Sequence, residues 1–121
     1  MIRGRWRWVV AWAVLIEVLV LWPSPPDIAP RWLGGGFDKV VHAALFAVLA
    51  ALAAWARAAQ HRVRWPAAVG AALFGAFTEG QQHFIPSRSM ELGDLLADTG
   101  GAMLGLALFA ALALRRRGLQ G

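Results

Sequence analysis

Glu79-Gly-Gln-Gln-His-Phe-Ile-Pro-Ser-Arg-Ser-Met-Glu-Leu-Gly-Asp-Leu-Leu-Ala-Asp98 decides how this chain folds. These residues gather much of the chain's ionisable chemistry, and an apolar run stands on either side: Trp65 to Phe77 before, Leu95 to Leu114 after, broken only by Asp98. A polar loop of a soluble domain is not normally bracketed by two segments of membrane-spanning character. The expectation is that the rest of the chain holds this loop at one face of a bilayer.

Composition supports that frame. Of 121 residues, 59% are hydrophobic and 16% charged, against about 25% charged in an ordinary soluble domain. A soluble fold this small could not bury so much apolar surface. The length allows a single domain, 1–121. Cysteine is absent, which removes disulfides, thiolate nucleophiles and Cys-ligated metals. A net charge of +5 raises the question of nucleic acid. The basic residues, however, sit in short clusters at the ends of apolar runs and not along one face, which excludes nucleic acid as a partner and points to the lipid bilayer.

Outward from the loop, the chain resolves into four predicted spans, at about 6–22, 39–57, 65–84 and 91–114. The first follows a basic tail (Arg3, Arg5, Arg7) and carries Trp6, Trp8 and Trp22 as interface anchors. Glu17 interrupts its apolar core and no small-x-small cleavage site precedes Pro23-Ser24-Pro25-Pro26, so it reads as a retained helix and not a signal peptide. Prolines and Gly34-Gly35-Gly36 make 23–36 a loop. Asp38 is expected to cap the second helix, Pro66 to open the third, Pro86 to end it, and Gly118 to stop the fourth after Arg115-Arg116-Arg117.

Four spans put both termini on one side. Arg3, Arg5, Arg7, Arg57, Arg62, Arg64 and Arg115 to Arg117 share a face, and Arg31, Lys39 and Arg88 fall on the other. The positive-inside rule places both termini in the cytoplasm, with all the acids in the outer half. The predicted fold is therefore an all-α, polytopic bundle of four transmembrane helices. Two rows of small residues, Gly93, Ala97, Gly101 and Gly105 on the fourth helix and Ala67, Ala71 and Gly75 on the third, allow close helix approach. They read as packing within one chain before dimerisation; the oligomeric state stays open.

The polar residues fall into groups one turn apart: Asp38 with His42; Glu79, Gln82 and His83; Glu91, Asp94 and Asp98. Lys39 and Arg88 add cations, and Glu17 approaches from the first helix. Ionisable residues in spans are rare and usually face a functional cavity, yet buried charges also pair simply to survive. In the structural alternative, Arg88 bridges Glu79 and Asp94, and His42 bonds Asp38 or Gln82. A working pocket has three possible chemistries. Acid–base catalysis would use Glu79 or Asp94 with His42. Anion binding would use Lys39, His42 and Arg88, the last bidentately. A divalent metal on His42 and His83 with Glu79 or Asp98 is the weakest, because no HExxH-type spacing is present; no metal and no cofactor are assigned. Ser87 and Ser89 read as turn and cap residues.

Asp38-Lys39-x-x-His42-x-x-x-Phe46, Glu79-x-x-Gln82-x-Phe84-x-Pro86-x-Arg88 and Asp94-x-x-x-Asp98-Thr99-x-Gly101-x-x-x-Gly105, in that order, resemble the VanZ-like family of small bacterial membrane proteins, over residues 37–105. One position departs: Asp98 stands where the family more often has Asn. The resemblance implies a multi-pass protein of the bacterial inner membrane and a link to teicoplanin resistance, and supplies no reaction. It marks Asp38, Lys39, His42, Glu79, Gln82, Arg88 and Asp94. The candidate roles are Glu79, His42 and Asp94 in catalysis and Asp38, Lys39, Gln82 and Arg88 in ligand binding. The expected partner is an envelope lipid or lipid-linked cell-wall precursor; the alternative is a non-enzymatic structural or partner subunit.

Overall fold

In the computed structural model, the described residues are 2–21, 36–59, 64–82, 84 and 92–120. They form four α-helices and no strand: α1 Ile2–Leu21, α2 Gly36–Ala59, α3 Trp65–Gln82 and α4 Leu92–Gln120. Ala, Leu, Val and Phe fill these segments, and their apolar character runs around most of each helix, as a lipid-facing or fully enclosed helix requires. Two of them, over Lys39–Ala58 and Leu92–Leu119, are long and apolar enough to cross a membrane.

Three helix boundaries differ from expectation. The basic tail belongs to α1, which begins at Ile2; Arg5 is held there by α2, its Nη1 donating to the Trp55 carbonyl at 2.9 Å while the guanidinium lies 4.4 Å from the Trp55 ring centroid. Helix α2 starts at Gly36, so Asp38 sits in the first helical turn and is not the cap. Gly118 does not stop α4, which continues to Gln120. A Cβ added at Gly118 would meet nothing within 4 Å beyond its own helix, and the cations at 115–117 favour the negative end of the helix dipole, offsetting a glycine cost of about 1 kcal/mol.

Packing is most extensive between α2 and α4. A Cβ added at Gly101 or Gly105 would overlap the backbone carbonyl of Ala43 or Ala47 respectively. The small-residue stripe of α4 therefore serves contact inside the chain, backbone on backbone. Ala67, Ala71 and Gly75 of α3 are likewise buried. Helix α1 joins through Ile16, which is fully buried, and through Trp12, whose Nε1 donates to the Leu45 carbonyl at 2.9 Å.

The helices run alternately up and down, which brings their basic ends together. Arg5 at the start of α1 meets Trp55 near the end of α2, and Arg64 before α3 stands 5.5 Å from the Phe109 ring on α4. Along the bundle the polarity inverts relative to a soluble protein. Glu79, Thr78 and Asp98 are among the largest fully buried side chains, while Val14, Leu73, Phe77, Leu104 and Leu112 are each more than half exposed. Carboxylates inside and aliphatic side chains outside suit a protein dissolved in lipid.

Candidate functional site

The site is built where α2, α3 and α4 converge. His42 lies two turns into α2, and its side chain is buried among the other helices. Its Nδ1 is 2.8 Å from Oδ1 of Asp98 on α4. Glu79 near the end of α3 brings Oε1 to 4.0 Å from the same nitrogen. His42, Glu79 and Asp98 thus place one ligand-type atom each within 4.8 Å of the others, and all three are buried. Three helices each contribute one group to a space of a few ångströms.

Local sequence explains how they fit. Gly75 stands one turn before Glu79 on α3; a Cβ there would come 3.0 Å from Asp98 Cβ and 3.1 Å from its Oδ2. The bare backbone is what admits the Asp98 carboxylate. The Gly101 and Gly105 contacts, lying beyond Asp98 on the same side of α4, fix the α2–α4 distance across which His42 and Asp98 bond. The hydroxyls nearby turn back onto their own helices: Thr78 Oγ1 donates to the Gly75 carbonyl at 2.9 Å and Thr99 Oγ1 to that of Leu95 at 3.0 Å. Such back-bonding removes the cost of a polar group in apolar surroundings.

A second pair lies one turn along. Asp94, in the first turn of α4 where a carboxylate meets the positive end of the dipole, is buried, and Lys39 Nζ stands 3.7 Å from its Oδ1. Lys39 remains 44% exposed and so connects the buried acids with the surface. Gln82 is buried at the end of α3. On the remaining side, Glu17 of α1 takes a hydrogen bond from Gln81, so the first helix does contribute an acid to this end.

Of the candidates read from the sequence, His42, Glu79, Gln82, Asp94 and Lys39 fall in this region. Arg88 lies outside the described residues, as do His83 and Glu91, and so does the side chain of Asp38. The structure gives His42 a hydrogen-bond partner, Asp98, 56 residues away, that the sequence reading had set beside it only in the metal alternative. Asp98 had entered only as an alternative metal ligand and as the position where the family more often has Asn, because nothing in its own turn marks it above Glu91 or Asp94. The available signal was Gly75, four residues before Glu79, which leaves room on that face for a neighbour's side chain. A cavity of about 260 Å³ lies elsewhere, toward the basic end, among Trp6, Leu49, Ala53, Arg57, Ala67 and Phe74. Its lining is apolar apart from Arg57, and no member of the polar cluster takes part.

Chemically, a buried imidazole against two carboxylates can move a proton, hold a cation, or lock three helices. Comparison with known proteins narrows the context. A family model described as VanZ/LLP1 matches residues 4–114. No curated protein matches, and no solved structure does.

Proposed function

The chain belongs to the VanZ/LLP1 family, and from that premise we propose that it is a multi-pass protein of the bacterial cytoplasmic membrane whose polar cluster binds or modifies an envelope lipid or lipid-linked cell-wall precursor at the outer face. The observation that carries this is the convergence of His42, Glu79 and Asp98 from three helices whose outer surfaces are aliphatic. Ionisable groups are costly in such a setting, and within spans they usually mark a functional site.

The four-span arrangement is part of the proposal. At about 1.5 Å per residue, the 18 residues of α3 reach about 27 Å, close to the hydrocarbon thickness, and the 20 of α1 reach about 30 Å with its basic first turns counted in. The basic helix ends then lie in the cytoplasm and the acidic cluster toward the outside. In this reading Lys39, which is beside Asp94 and partly exposed, meets a phosphate-bearing headgroup, and Arg88 is the second cation expected from the sequence. In the enzymatic form, Glu79 exchanges a proton with the substrate, and Asp98 holds the imidazole of His42 toward it.

A second reading, a structural or partner subunit, rests on the His42–Asp98 bond, which by itself ties α2 to α4. Glycopeptide susceptibility separates the two. A sensitive Gram-positive host would express wild type, Glu79→Gln or Arg88→Lys at matched membrane levels and be challenged with teicoplanin. Protection by wild type alone supports an active outer site. Equal protection by Glu79→Gln rules out proton transfer by Glu79. No protection from well-inserted wild type overturns the resistance link.

A further inference from the structure

We propose that His42, Glu79 and Asp98 form a binding site for one divalent transition-metal ion, with Zn²⁺ or Mn²⁺ as the fitting class. The sequence alone gave little reason for a metal, because no two of these residues stand at a familiar ligand spacing. The fold supplies the reason by bringing them together from positions 42, 79 and 98.

The geometry suits a small coordination sphere. At metal–ligand distances of about 2.1 Å, neighbouring ligands on one ion are separated by about 3.0–3.4 Å and opposite ones by about 4.2 Å. His42 Nδ1 to Asp98 Oδ1 is 2.8 Å, His42 Nδ1 to Glu79 Oε1 is 4.0 Å, and all three ligand atoms lie within 4.8 Å of one another. A side-chain adjustment of well under an ångström would put all three on one ion. One imidazole nitrogen with two carboxylates is a donor set for Zn²⁺ or Mn²⁺; Ca²⁺ would call for six or more oxygens.

A second, independent observation points the same way. Asp98 is wholly buried, and its Oδ2 has no hydrogen-bond partner among the described residues although its Oδ1 faces His42. A carboxylate with one oxygen unsatisfied in apolar surroundings is expensive unless something else occupies that side. Gly75 sets bare backbone against Oδ2, so no side chain at that position meets the oxygen's need for a partner. Charge balance agrees: an imidazolium offsets one carboxylate, whereas a divalent ion with a neutral imidazole offsets both. The ion would stand where Nδ1 and Oδ1 now make their hydrogen bond.

Lys39 and Asp94 lie beside this set and not in it, so an ion could stand next to a headgroup held by Lys39. With the ion bound, His42 and Glu79 are ligands in place of proton carriers. The metal site is independent of the lipid assignment, because it is measured on the protein alone.

The test uses the full chain, free of any affinity tag, purified in detergent, treated with EDTA and desalted. Mn²⁺ is titrated in and free ion followed by electron paramagnetic resonance; ZnCl₂ is titrated by calorimetry. The expected result is one ion per chain at micromolar or tighter Kd. Pulsed resonance of the Mn²⁺ form should show coupling to one imidazole nitrogen, a readout that needs no variant. Glu79→Gln and Asp98→Asn should each weaken binding at least tenfold, and His61→Gln with His83→Gln should leave it intact. Absence of saturable binding at millimolar ion overturns the proposal. So does binding without nitrogen coupling, or binding that disappears with His61 and His83.

Discussion

Gly100 and Gly101 are neighbours on α4, and the same substitution should behave oppositely at the two. At Gly100 no atom lies within 4 Å of an added Cβ. A membrane helix keeps its hydrogen bonds when the bundle comes apart, so most of the usual propensity gain of alanine cancels. Gly100→Ala should therefore change stability by less than about 0.5 kcal/mol. At Gly101 the added methyl would overlap the Ala43 carbonyl, which is backbone and cannot rotate away. The only relief is to part α2 from α4, and overpacking of this kind costs about 1–3 kcal/mol, a shift of about 5- to 150-fold in the folding equilibrium. The same displacement lengthens the 2.8 Å contact between His42 and Asp98, which lies one turn away across the same interface. Equilibrium unfolding in mixed detergent–SDS micelles, followed by tryptophan fluorescence, reads the first effect. The histidine proton resonances read the second. If both variants unfold with the wild-type midpoint, the close approach of α2 and α4 is wrong, and with it the account of how the site is held.

Other predictions test separate links. Asp98→Ala removes the 2.8 Å partner of the buried His42 and should destabilise by about 3 kcal/mol, whereas the double variant with His42→Ala should lose less than the sum of the two, as a double-mutant cycle in the same assay would show. Gly75→Ala should crowd Asp98, since its Cβ would lie 3.0 Å from that side chain, and cost about 1 kcal/mol or more in SDS unfolding. Arg5→Ala removes both a hydrogen bond to Trp55 and the stacking on its ring, and should lower stability by about 1–2 kcal/mol in that measurement. The chain has no cysteine, so single cysteines report sidedness directly: Phe84→Cys should react with an impermeant maleimide added outside cells and Gly118→Cys only after permeabilisation. Labelling of both from the same side would refute four spans.

Some of this was legible in the sequence and some was not, for identifiable reasons. Close helix contact leaves a one-turn repeat of small residues, so Gly101 and Gly105 announced an α4 packing seam before any partner was known. The apolar composition likewise pointed to helices long enough to cross a membrane, of which two, over Lys39–Ala58 and Leu92–Leu119, are found. Pairing in space leaves no such mark. The hydrogen-bond partners read for His42 were Asp38 in its own turn and Gln82, with Asp98 only an alternative fellow metal ligand, because spacing along one helix does not report which residue of another lies opposite. Its contact with Asp98 depends on the register between α2 and α4, which the facing Ala43 and Ala47 carbonyls set. Gly118 misled for a related reason: a glycine marks a helix end only when the chain has cause to turn there, and in this exposed cationic tail α4 simply continues.

The distribution of the cluster over three helices also bears on how the protein is made. His42 and Glu79 emerge from the ribosome well before Asp98, which belongs to α4, made after both α2 and α3. Until α4 inserts, the imidazole has not met the carboxylate it faces in the finished bundle. Partly built chains thus present polar groups that the complete chain conceals, a difference that membrane quality control can recognise. Completion of α4 would be the event that hides the signal, so loss of the seam at Gly101 and Gly105 should shorten the protein's lifetime in cells as well as its unfolding midpoint.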